Sequence, residues 1–391
     1  MTRPIRVLLM VENVSLARDH RLRKQAEALA EEGYRVSVIC RRDAANRGYA
    51  YARLHDYPAP PDARSKFGFI REYGWSWAAA AWLTTKVFLT EGFDAIQISG
   101  TPDIYFTIAA PFKLLGRPVV LDQRDLSPEL YEVRYGRRGA VYRILRGLER
   151  ASYRTADHVV TVNGSLERVA CARGDLPAGS VSVVGNGPRL ERTHRRPARP
   201  ELRHGRRHLA CWLGLMGPQD RLDLMLRAID CLVHQLGRTD CHFALVGDGE
   251  EREPAQRLAE DLGIADYVSF PGWVAEEEAF TYLSTADLGL EPNVEEIVSP
   301  VKGMEYMAFG LPFVAFDLIE TRAMAGDAAA YAPPGDVTTF AKLVDELLGD
   351  DGLRRRMGDA GRTRVEDSVA WDHQRSAYVH VYQRLLEGAV A

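Results

Sequence analysis

The strongest constraint on the fold is an alternation of strand and helix patterns that runs through the first half of the chain. Residues 5–10 read as a buried strand, residues 16–32 show helical spacing of apolar side chains, and Gly33 ends that helix. The strands predicted in this half cover residues 5–10, 34–40, 95–99, 118–121 and 157–162. Such alternation indicates an α/β fold in which helices cover both faces of a parallel sheet.

The pattern stops at residues 188–207, which hold eight arginines, two glutamates and three prolines and have almost no apolar periodicity. We therefore predict a linker there. The alternation then resumes, with strands predicted over 208–213, 242–246, 268–270, 287–290 and 312–316. The predicted organisation is an N-terminal domain over 1–187, the linker over 188–207, a second domain over 208–370, and a C-terminal helix over 371–391 that packs toward the N-terminal domain. A length of 391 residues fits two such domains.

Charge and composition exclude several classes of protein. Fifty basic and 54 acidic residues give a net charge of −4, which argues against a nucleic-acid partner. The five cysteines form no CxxC pair, and the N-terminus lacks the pattern of a secretory signal, so we expect a cytoplasmic protein with reduced thiols. The apolar stretch over residues 75–90 contains Lys86 and is short for a membrane span.

The second half contains a helix start that suits an anion. Ser299 is predicted as the N-cap and Pro300 as the first helical residue, which places Lys302 at about the third position. A lysine at this end of a helix is explained if a bound anion offsets the unfavourable helix dipole. Glu305 lies on roughly the same face, where it could accept hydrogen bonds from a ribose. A surface Lys–Glu pair is the alternative interpretation.

Two further segments follow predicted strands of the second half. Gly247, Asp248 and Gly249 form a small-residue turn that would let the backbone approach a ligand. Trp273 and Val274 follow the next strand and could border the same site. A plain tight turn is the alternative for the first segment.

Charged side chains also follow strands of the first half. Asp122, Arg124 and Asp125 come after one strand, and Glu12 and Asn13 come after the first strand. Ligands of doubly wound sheets bind beyond the carboxyl ends of the strands, so these positions suit catalysis or acceptor binding. A capping network for the next helix is the alternative.

Several familiar motifs are absent from the sequence. There is no GxGxxG after the first strand, which argues against a nicotinamide dehydrogenase. No P-loop, HExxH, GxSxG, His/Cys metal spacing or DxD carboxylate pair occurs. We therefore expect no metal ion and no resident cofactor.

Seven segments, taken in order, resemble the retaining glycosyltransferase family 4. They read DHRLRKQAEALAEEGYRVSVIC, VVLDQRDLSPELYEVRYG, ADHVVTVNGSL, VSVVGNGPRL, LVGDGEE, FPGWV and SPVKGMEYMAFGLPFVAFDLIETR. The last is similar to a branch of the family with the pattern S-P-x-K-x-x-E-Y-M-A. The resemblance implies the GT-B fold, in which two doubly wound Rossmann-like domains face each other across a cleft.

The resemblance also implies a nucleoside-diphosphate sugar as co-substrate, retention at the anomeric carbon and no essential metal. The implied catalytic residues are Asp125 and Arg124. The implied donor-binding residues are Gly214, Arg221, Gly247, Asp248, Gly249, Trp273, Val274, Ser299, Val301, Lys302 and Glu305. Glu12, Asn13 and Asp122 would lie on the acceptor side.

The sequence departs from the family pattern at three positions. Leu215 and Asp220 stand where many relatives have an arginine and a lysine, and Ile297 stands where they have the first glutamate of an E-x7-E pair. Lys302 and Arg221 would then neutralise the diphosphate. These departures keep two other functions open, a GT-B-fold sugar-nucleotide epimerase and a non-catalytic sugar-nucleotide binder.

The predicted partners are a nucleotide sugar and a saccharide, lipid-linked or small-molecule acceptor. Peripheral contact with the inner face of a membrane is a further prediction. It rests on the arginines of 188–207 and on one short apolar stretch that contains Trp75, Trp77, Trp82, Val87, Phe88 and Leu89.

Overall fold

The computed structural model describes residues 3–12, 14–60, 66–100, 103–296 and 298–387. The chain folds into two compact units. The first comprises the residues up to Gly185 together with those from Gln374 onward, and the second comprises Asn186–His373.

A seven-stranded parallel sheet forms the centre of the first unit, with the strand order β3-β2-β1-β4-β5-β6-β7. Its strands are β1 (Arg6–Val11), β2 (Arg35–Arg41), β3 (Arg53–Tyr57), β4 (Ala95–Ser99), β5 (Val119–Gln123), β6 (His158–Thr161) and β7 (Val181–Val183). Its helices are α1 (His20–Glu31), α2 (Lys66–Thr90), α3 (Phe106–Leu114), α4 (Ser127–Tyr135), α5 (Ala140–Thr155) and α6 (Gly164–Gly174).

The second unit has a six-stranded parallel sheet with the strand order β10-β9-β8-β11-β12-β13. Its strands are β8 (His208–Leu213), β9 (Cys241–Val246), β10 (Val268–Gly272), β11 (Leu288–Glu291), β12 (Phe313–Phe316) and β13 (Ala329–Ala332). Its helices are α7 (Leu222–Asp230), α8 (Arg252–Asp261), α9 (Glu276–Thr285), α10 (Val301–Ala308), α11 (Ile319–Ala325), α12 (Val337–Gly349) and α13 (Asp351–Arg364). The last helix, α14 (Trp371–Leu386), begins in this unit and ends in the first.

Helix α14 is fixed to the first unit by hydrogen bonds inside its core. The hydroxyls of Tyr378 and Tyr382 both donate to Oε1 of Gln97 on β4, at 2.8 and 2.7 Å. The Gly185 amide donates to Gln374 Oε1 at 2.9 Å. Buried polar groups need partners, so these bonds hold the helix in one register on the sheet.

The strand order of each sheet reverses direction once. In the first unit the reversal lies between β1 and β4, and in the second it lies between β8 and β11. Helices leave the two strands at such a point toward opposite faces, which opens a crevice at the carboxyl ends. The residues after β1, β4, β8 and β11 are therefore where a ligand of each unit is expected.

The predicted α/β class and doubly wound sheets are confirmed. The predicted strands appear within two residues of their expected ends, and the pattern did not indicate β3, β7 or β13.

The linker prediction for 188–207 is wrong in one respect, because this segment is packed against the second unit. Three of its arginines pair with the three glutamates that open α9: Arg192 with Glu276, Arg196 with Glu277 and Arg199 with Glu278. Arg203 also pairs with Asp287, at 2.5 Å. The glutamates suit the positive end of the helix dipole, and the arginines neutralise them in turn.

Candidate functional site

Two glycine loops meet at the strand reversal of the second unit. Gly247 follows β9 with a φ of 140°, and a Cβ there would lie 1.9 Å from the carbonyl oxygen of Gly214, which follows β8. At Gly249 a Cβ would lie 2.4 Å from the carbonyl oxygen of Met216. Only glycine permits this approach, so both predicted small-residue positions have a steric reason.

Helix α10 begins one residue later than predicted. Its first residue is Val301 and its N-cap position is Pro300, which has no side chain able to cap. The hydroxyl of Ser299 is buried without a hydrogen-bond partner, so the prediction that it caps the helix is wrong. Lys302 is thus the second helical residue.

The ammonium of Lys302 points back to the loop after β8. Its Nζ lies 2.6 Å from Asp220 Oδ1, 4.0 Å from Glu291 Oε1 at the end of β11, and 5.2 Å from the ring centre of Trp212. Burial disfavours the charged form of Lys302 and would lower its pKa. The negative charges of Glu291 and Asp220 outweigh this effect, so the pKa of Lys302 is raised. Burial in turn raises the pKa of Glu291. Lys302 therefore forms an ion pair with Asp220, which lies 82 positions away in the sequence.

The first turn of α10 retains free donors. The Val301 amide donates to the Ser299 carbonyl at 2.8 Å, while the amides of Lys302 and Gly303 meet no backbone acceptor among the residues that the structure describes. Glu305 lies one turn further on, is half-buried, and acts electrostatically on Lys302. The helix end thus offers amides, a cation and a carboxylate on neighbouring positions.

The other predicted donor-binding residues differ in whether their side chains are exposed or already engaged by protein groups. Arg221 binds Asp223 in a bidentate pair at 2.9 and 2.8 Å, so its guanidinium is already engaged. Asp248 is mostly exposed and accepts from the Gly249 amide. Trp273 is 72% exposed, whereas Val274 packs against the core.

In the first unit, Asp122 is fully buried between two arginines. Arg21 contacts it at 2.8 Å and Arg124 at 2.9 Å, while Arg124 also pairs with Asp19 at 2.5 Å. Burial alone would raise the pKa of Asp122, but the two guanidiniums hold it at about 2. The network joins the end of β5 to the start of α1, where Asp19 also accepts from the Leu22 amide.

This network corrects the alternative that these charges cap the next helix, because the N-cap of α4 is Leu126 without a side-chain cap. Arg124 keeps one buried nitrogen, Nη2, without a partner. Asp125 is exposed and accepts no hydrogen bond from the described residues. Asn13 lies outside the described residues.

Glu12 has the most unusual environment in the first unit. It follows β1, is 4% exposed, and neither carboxylate oxygen has a hydrogen-bond partner among the residues that the structure describes. Burial, together with the nearby Glu72 and Asp103, raises its pKa to about 9. The sequence indicated its place at a strand end but not this burial.

The described part of the chain shows neither a metal-binding cluster nor a membrane-spanning helix. No group of three or more histidine, cysteine, aspartate or glutamate side chains is placed to hold a metal ion. No helix there has both the length and the apolar character to cross a membrane.

Comparison with known families identifies both units. A family model described as "Glycosyl transferase 4-like domain" matches residues 19–187, and one described as "Glycosyl transferases group 1" matches residues 207–350. The chain is a glycosyltransferase family 4-like protein with the GT-B fold.

Solved GT-B structures superpose on nearly the whole of this family 4-like chain. Sucrose-phosphate synthase from Thermosynechococcus elongatus aligns with a TM-score of 0.79 at 18% identity, over 98% of this chain and 100% of that one. Anabaena HepE in complex with UDP-glucose aligns with a TM-score of 0.75 at 16% identity, over 97% and 100% of the two chains.

Among curated proteins, the family 4-like chain is similar to the MMP α-(1→4)-mannosyltransferase of Mycolicibacterium hassiacum, with 29% identity over 43% of each chain. It is 24% identical to the 2-deoxystreptamine glucosyltransferase of Streptomyces kanamyceticus, over 93% of this chain and 97% of that one. The match spans less than half of the mannosyltransferase's length.

Replacement of Glu12 by glutamine tests its raised pKa. A carboxyl whose pKa rises from 4.5 to about 9 on folding makes the folded protein less stable as pH increases through that range. Glu12→Gln removes this dependence, so the stability of the variant relative to the parent should increase by roughly 2–4 kcal/mol between pH 5 and pH 8. Thermal and urea unfolding at both pH values measure it. The exposed Glu253→Gln is the control, and an equal shift in both variants would refute the assignment.

Removal of the Lys302 charge should destabilise the second unit. Lys302→Met leaves Asp220 and Glu291 buried without their cation, at a cost of about 2–4 kcal/mol. Lys302→Met combined with Asp220→Asn should regain part of that loss. Unfolding measurements compare both with Lys342→Met, which replaces an exposed lysine of the same unit. If Lys302→Met is as stable as the parent, the ion pair does not contribute to the stability of the second unit.

Proposed function

We propose that the protein is a glycosyltransferase that moves a sugar from a nucleoside-diphosphate sugar to an acceptor hydroxyl with retention of anomeric configuration. The observation that carries the proposal is the convergence of two glycine loops and the α10 N-terminus at the strand reversal of the second unit. Backbone amides at such a point are a common site for phosphate.

In this proposal the donor is held by the second unit. The amides of Lys302 and Gly303 bind the diphosphate, and Lys302 shares its charge between the phosphate and its two carboxylates. Glu305 accepts hydrogen bonds from the ribose, and Trp273 and Val274 border the base. Charge that develops on the departing diphosphate is stabilised by groups already in place, which favours cleavage of the glycosidic bond.

The similar proteins support a nucleoside-diphosphate hexose as the donor. HepE was solved with UDP and with UDP-glucose, and related mannosyltransferases of mycobacteria are described as GDP-mannose-dependent. These proteins differ in the nucleobase of the donor, so the nucleotide titration described below is the test of the base.

The first unit would supply the acceptor side. We propose that Asp125, exposed and unpaired among the described residues, faces the reacting sugar and the acceptor. Arg124 is held by Asp19 and Asp122, so its partnerless Nη2 has a fixed position from which it could donate to the substrate. Asp122 then acts as a positioning residue.

A metal ion is not needed in this proposal, because a lysine and a helix N-terminus neutralise the diphosphate. Retained activity in EDTA is the expected behaviour. The two alternatives have different outcomes: an epimerase would convert the donor without an acceptor, and a binding protein would bind nucleotide without turnover.

Glu305→Gln is the most specific test of the donor site. Loss of a charged hydrogen bond to the ribose should weaken nucleotide binding roughly 10- to 100-fold and leave folding intact. Calorimetry with UDP, GDP, ADP and dTDP identifies the base, and mass spectrometry of donor-by-acceptor mixtures in EDTA identifies product. Glu253→Gln serves as the control. Unchanged nucleotide affinity in Glu305→Gln would remove α10 from the donor site.

We also propose that the first unit makes peripheral contact with an anionic membrane. The arginines of 188–207 no longer support it, because four of them pair with acids of the second unit. On α2, Val87 is buried and Phe88 packs edge-to-face against Phe93, while Trp75, Trp77, Trp82 and Leu89 remain exposed.

Helix α5 provides the charge. Val141 and Ile144 on this helix are 45% and 60% exposed, Arg143 and Arg150 are exposed too, and these two arginines form no ion pair with the described residues. The acidic residue of this helix, Glu149, is buried and bound by Arg173 at 3.0 Å. Exposed apolar and cationic side chains on one unit are the features that attract a protein to an anionic lipid surface.

Vesicle flotation tests this contact. The protein should float with phosphatidylcholine vesicles that contain phosphatidylglycerol, and less so at moderate salt or without the anionic lipid. The double variant Arg143→Ser/Arg150→Ser should reduce flotation several-fold, whereas Arg355→Ser/Arg356→Ser on the second unit should not. Absence of flotation with anionic vesicles at low salt would exclude the contact.

A further inference from the structure

The carboxyl group of Glu12 lacks a partner that a buried acid requires. It is 4% exposed, both of its oxygens are without a hydrogen bond, and it forms no ion pair with the described residues. A buried polar group without a partner costs free energy, so a bound group that completes it is the simplest explanation of its presence.

The position of Glu12 is that of a ligand-binding residue. Val11 pairs with Ser99 of β4, and Ser99 pairs with Asp122 of β5, so these residues form one row at the carboxyl edge of the sheet. Glu12 follows this row directly, at the strand reversal between β1 and β4. Ligands of doubly wound sheets bind at this place.

The surroundings of Glu12 are acidic. Asp103 lies in the connection after β4 and accepts from the Ser127 hydroxyl at 2.6 Å, and Glu72 lies on α2. Both act electrostatically on Glu12, and Asp125 acts on Asp103. The strands β1, β4 and β5 are neighbours in the sheet, and an acidic residue follows each of them. These residues, Glu12, Asp103 and Asp125, therefore lie close together.

Two arginines at this edge of the sheet are engaged by other residues. Arg21 binds Asp122 and the Val184 carbonyl, and Arg124 binds Asp122 and Asp19. Neither arginine pairs with Glu12, so a ligand that completes this acid would bring its own positive charge. A neutral hydroxyl could accept a hydrogen bond from the Glu12 carboxyl or donate one to it, but only a cation would stabilise the charged form of Glu12 among these acids.

We propose that Glu12 binds a protonated amine of the acceptor, so that the acceptor belongs to the class of amino sugars or aminocyclitols. The amine would donate to the two free oxygens of Glu12 and offset Glu72 and Asp103, while a hydroxyl of the same ring would extend toward Asp125. That the bound amine belongs to an acceptor rests on the proposed glycosyl transfer. Binding of an amine at Glu12 can be tested without it.

The experiment compares matched amines and amides on the intact protein by titration calorimetry. The probes are glucosamine against N-acetylglucosamine, and 2-deoxystreptamine against its di-N-acetyl derivative. We expect at least one amine to bind at least tenfold more tightly than its acetylated partner, because acetylation removes the positive charge.

The Glu12→Gln variant should lower the affinity for that amine by roughly 10- to 100-fold, whereas Glu253→Gln should keep the parental affinity. Because Glu12 would lose a proton when the amine binds, the measured enthalpy should also depend on the buffer's ionisation enthalpy in the parent and much less in Glu12→Gln. Glu72, Asp103, Tyr73 and Tyr105 face this group and are unchanged in the variant.

Nucleotide titration on the same samples separates the two proposals. Equal binding of amines and amides, no binding of either, or an unaltered amine affinity in Glu12→Gln would overturn the amine site. Such a result with intact nucleotide binding leaves the proposed glycosyl transfer standing. If the parent protein binds none of the nucleotides, that result would instead count against the proposed function.

Discussion

The ion pair between Lys302 and Asp220 is the contact on which the second unit's site depends. It joins the first turn of α10 to the connection after β8, and the nearby Glu291 adds the end of β11. The backbones beside this ion pair approach each other so closely that a Cβ at Gly247 would lie 1.9 Å from the Gly214 carbonyl oxygen. Charge pairing and close backbone approach thus set the same geometry.

The two units use one topology with opposite chemistry. Both sheets are parallel and reverse their order once, next to the strand that opens each unit. At the reversal of the second unit lie a lysine and free amides, which suit an anion. At the reversal of the first lie Glu12 without a partner and further acids, which suit a cation. Our proposal that the donor binds one unit and the acceptor the other rests on this difference in charge and not on a difference in fold.

The fold was largely predictable because buried parallel strands and amphipathic helices have distinct periods. The strands that the pattern missed lie at or near sheet edges: β3 is more polar, β7 spans only Val181–Val183, and β13 is an alanine-rich stretch. The arginines of 188–207 read as a linker because their partners, Glu276 to Glu278, lie far away in sequence. The pairing of Lys302 with Asp220 was likewise hidden, since local capping rules carry no information about contacts across 82 positions.

The central claim, that a nucleoside diphosphate binds at the strand reversal of the second unit, is tested most directly by hydrogen–deuterium exchange with and without saturating nucleotide. The account predicts slower exchange in peptides that cover 214–221, 247–249 and 299–305, most of all at the amides of Lys302 and Gly303, which become hydrogen-bonded to phosphate. Protection confined to other segments, with these peptides exchanging at the free-protein rate, would contradict it.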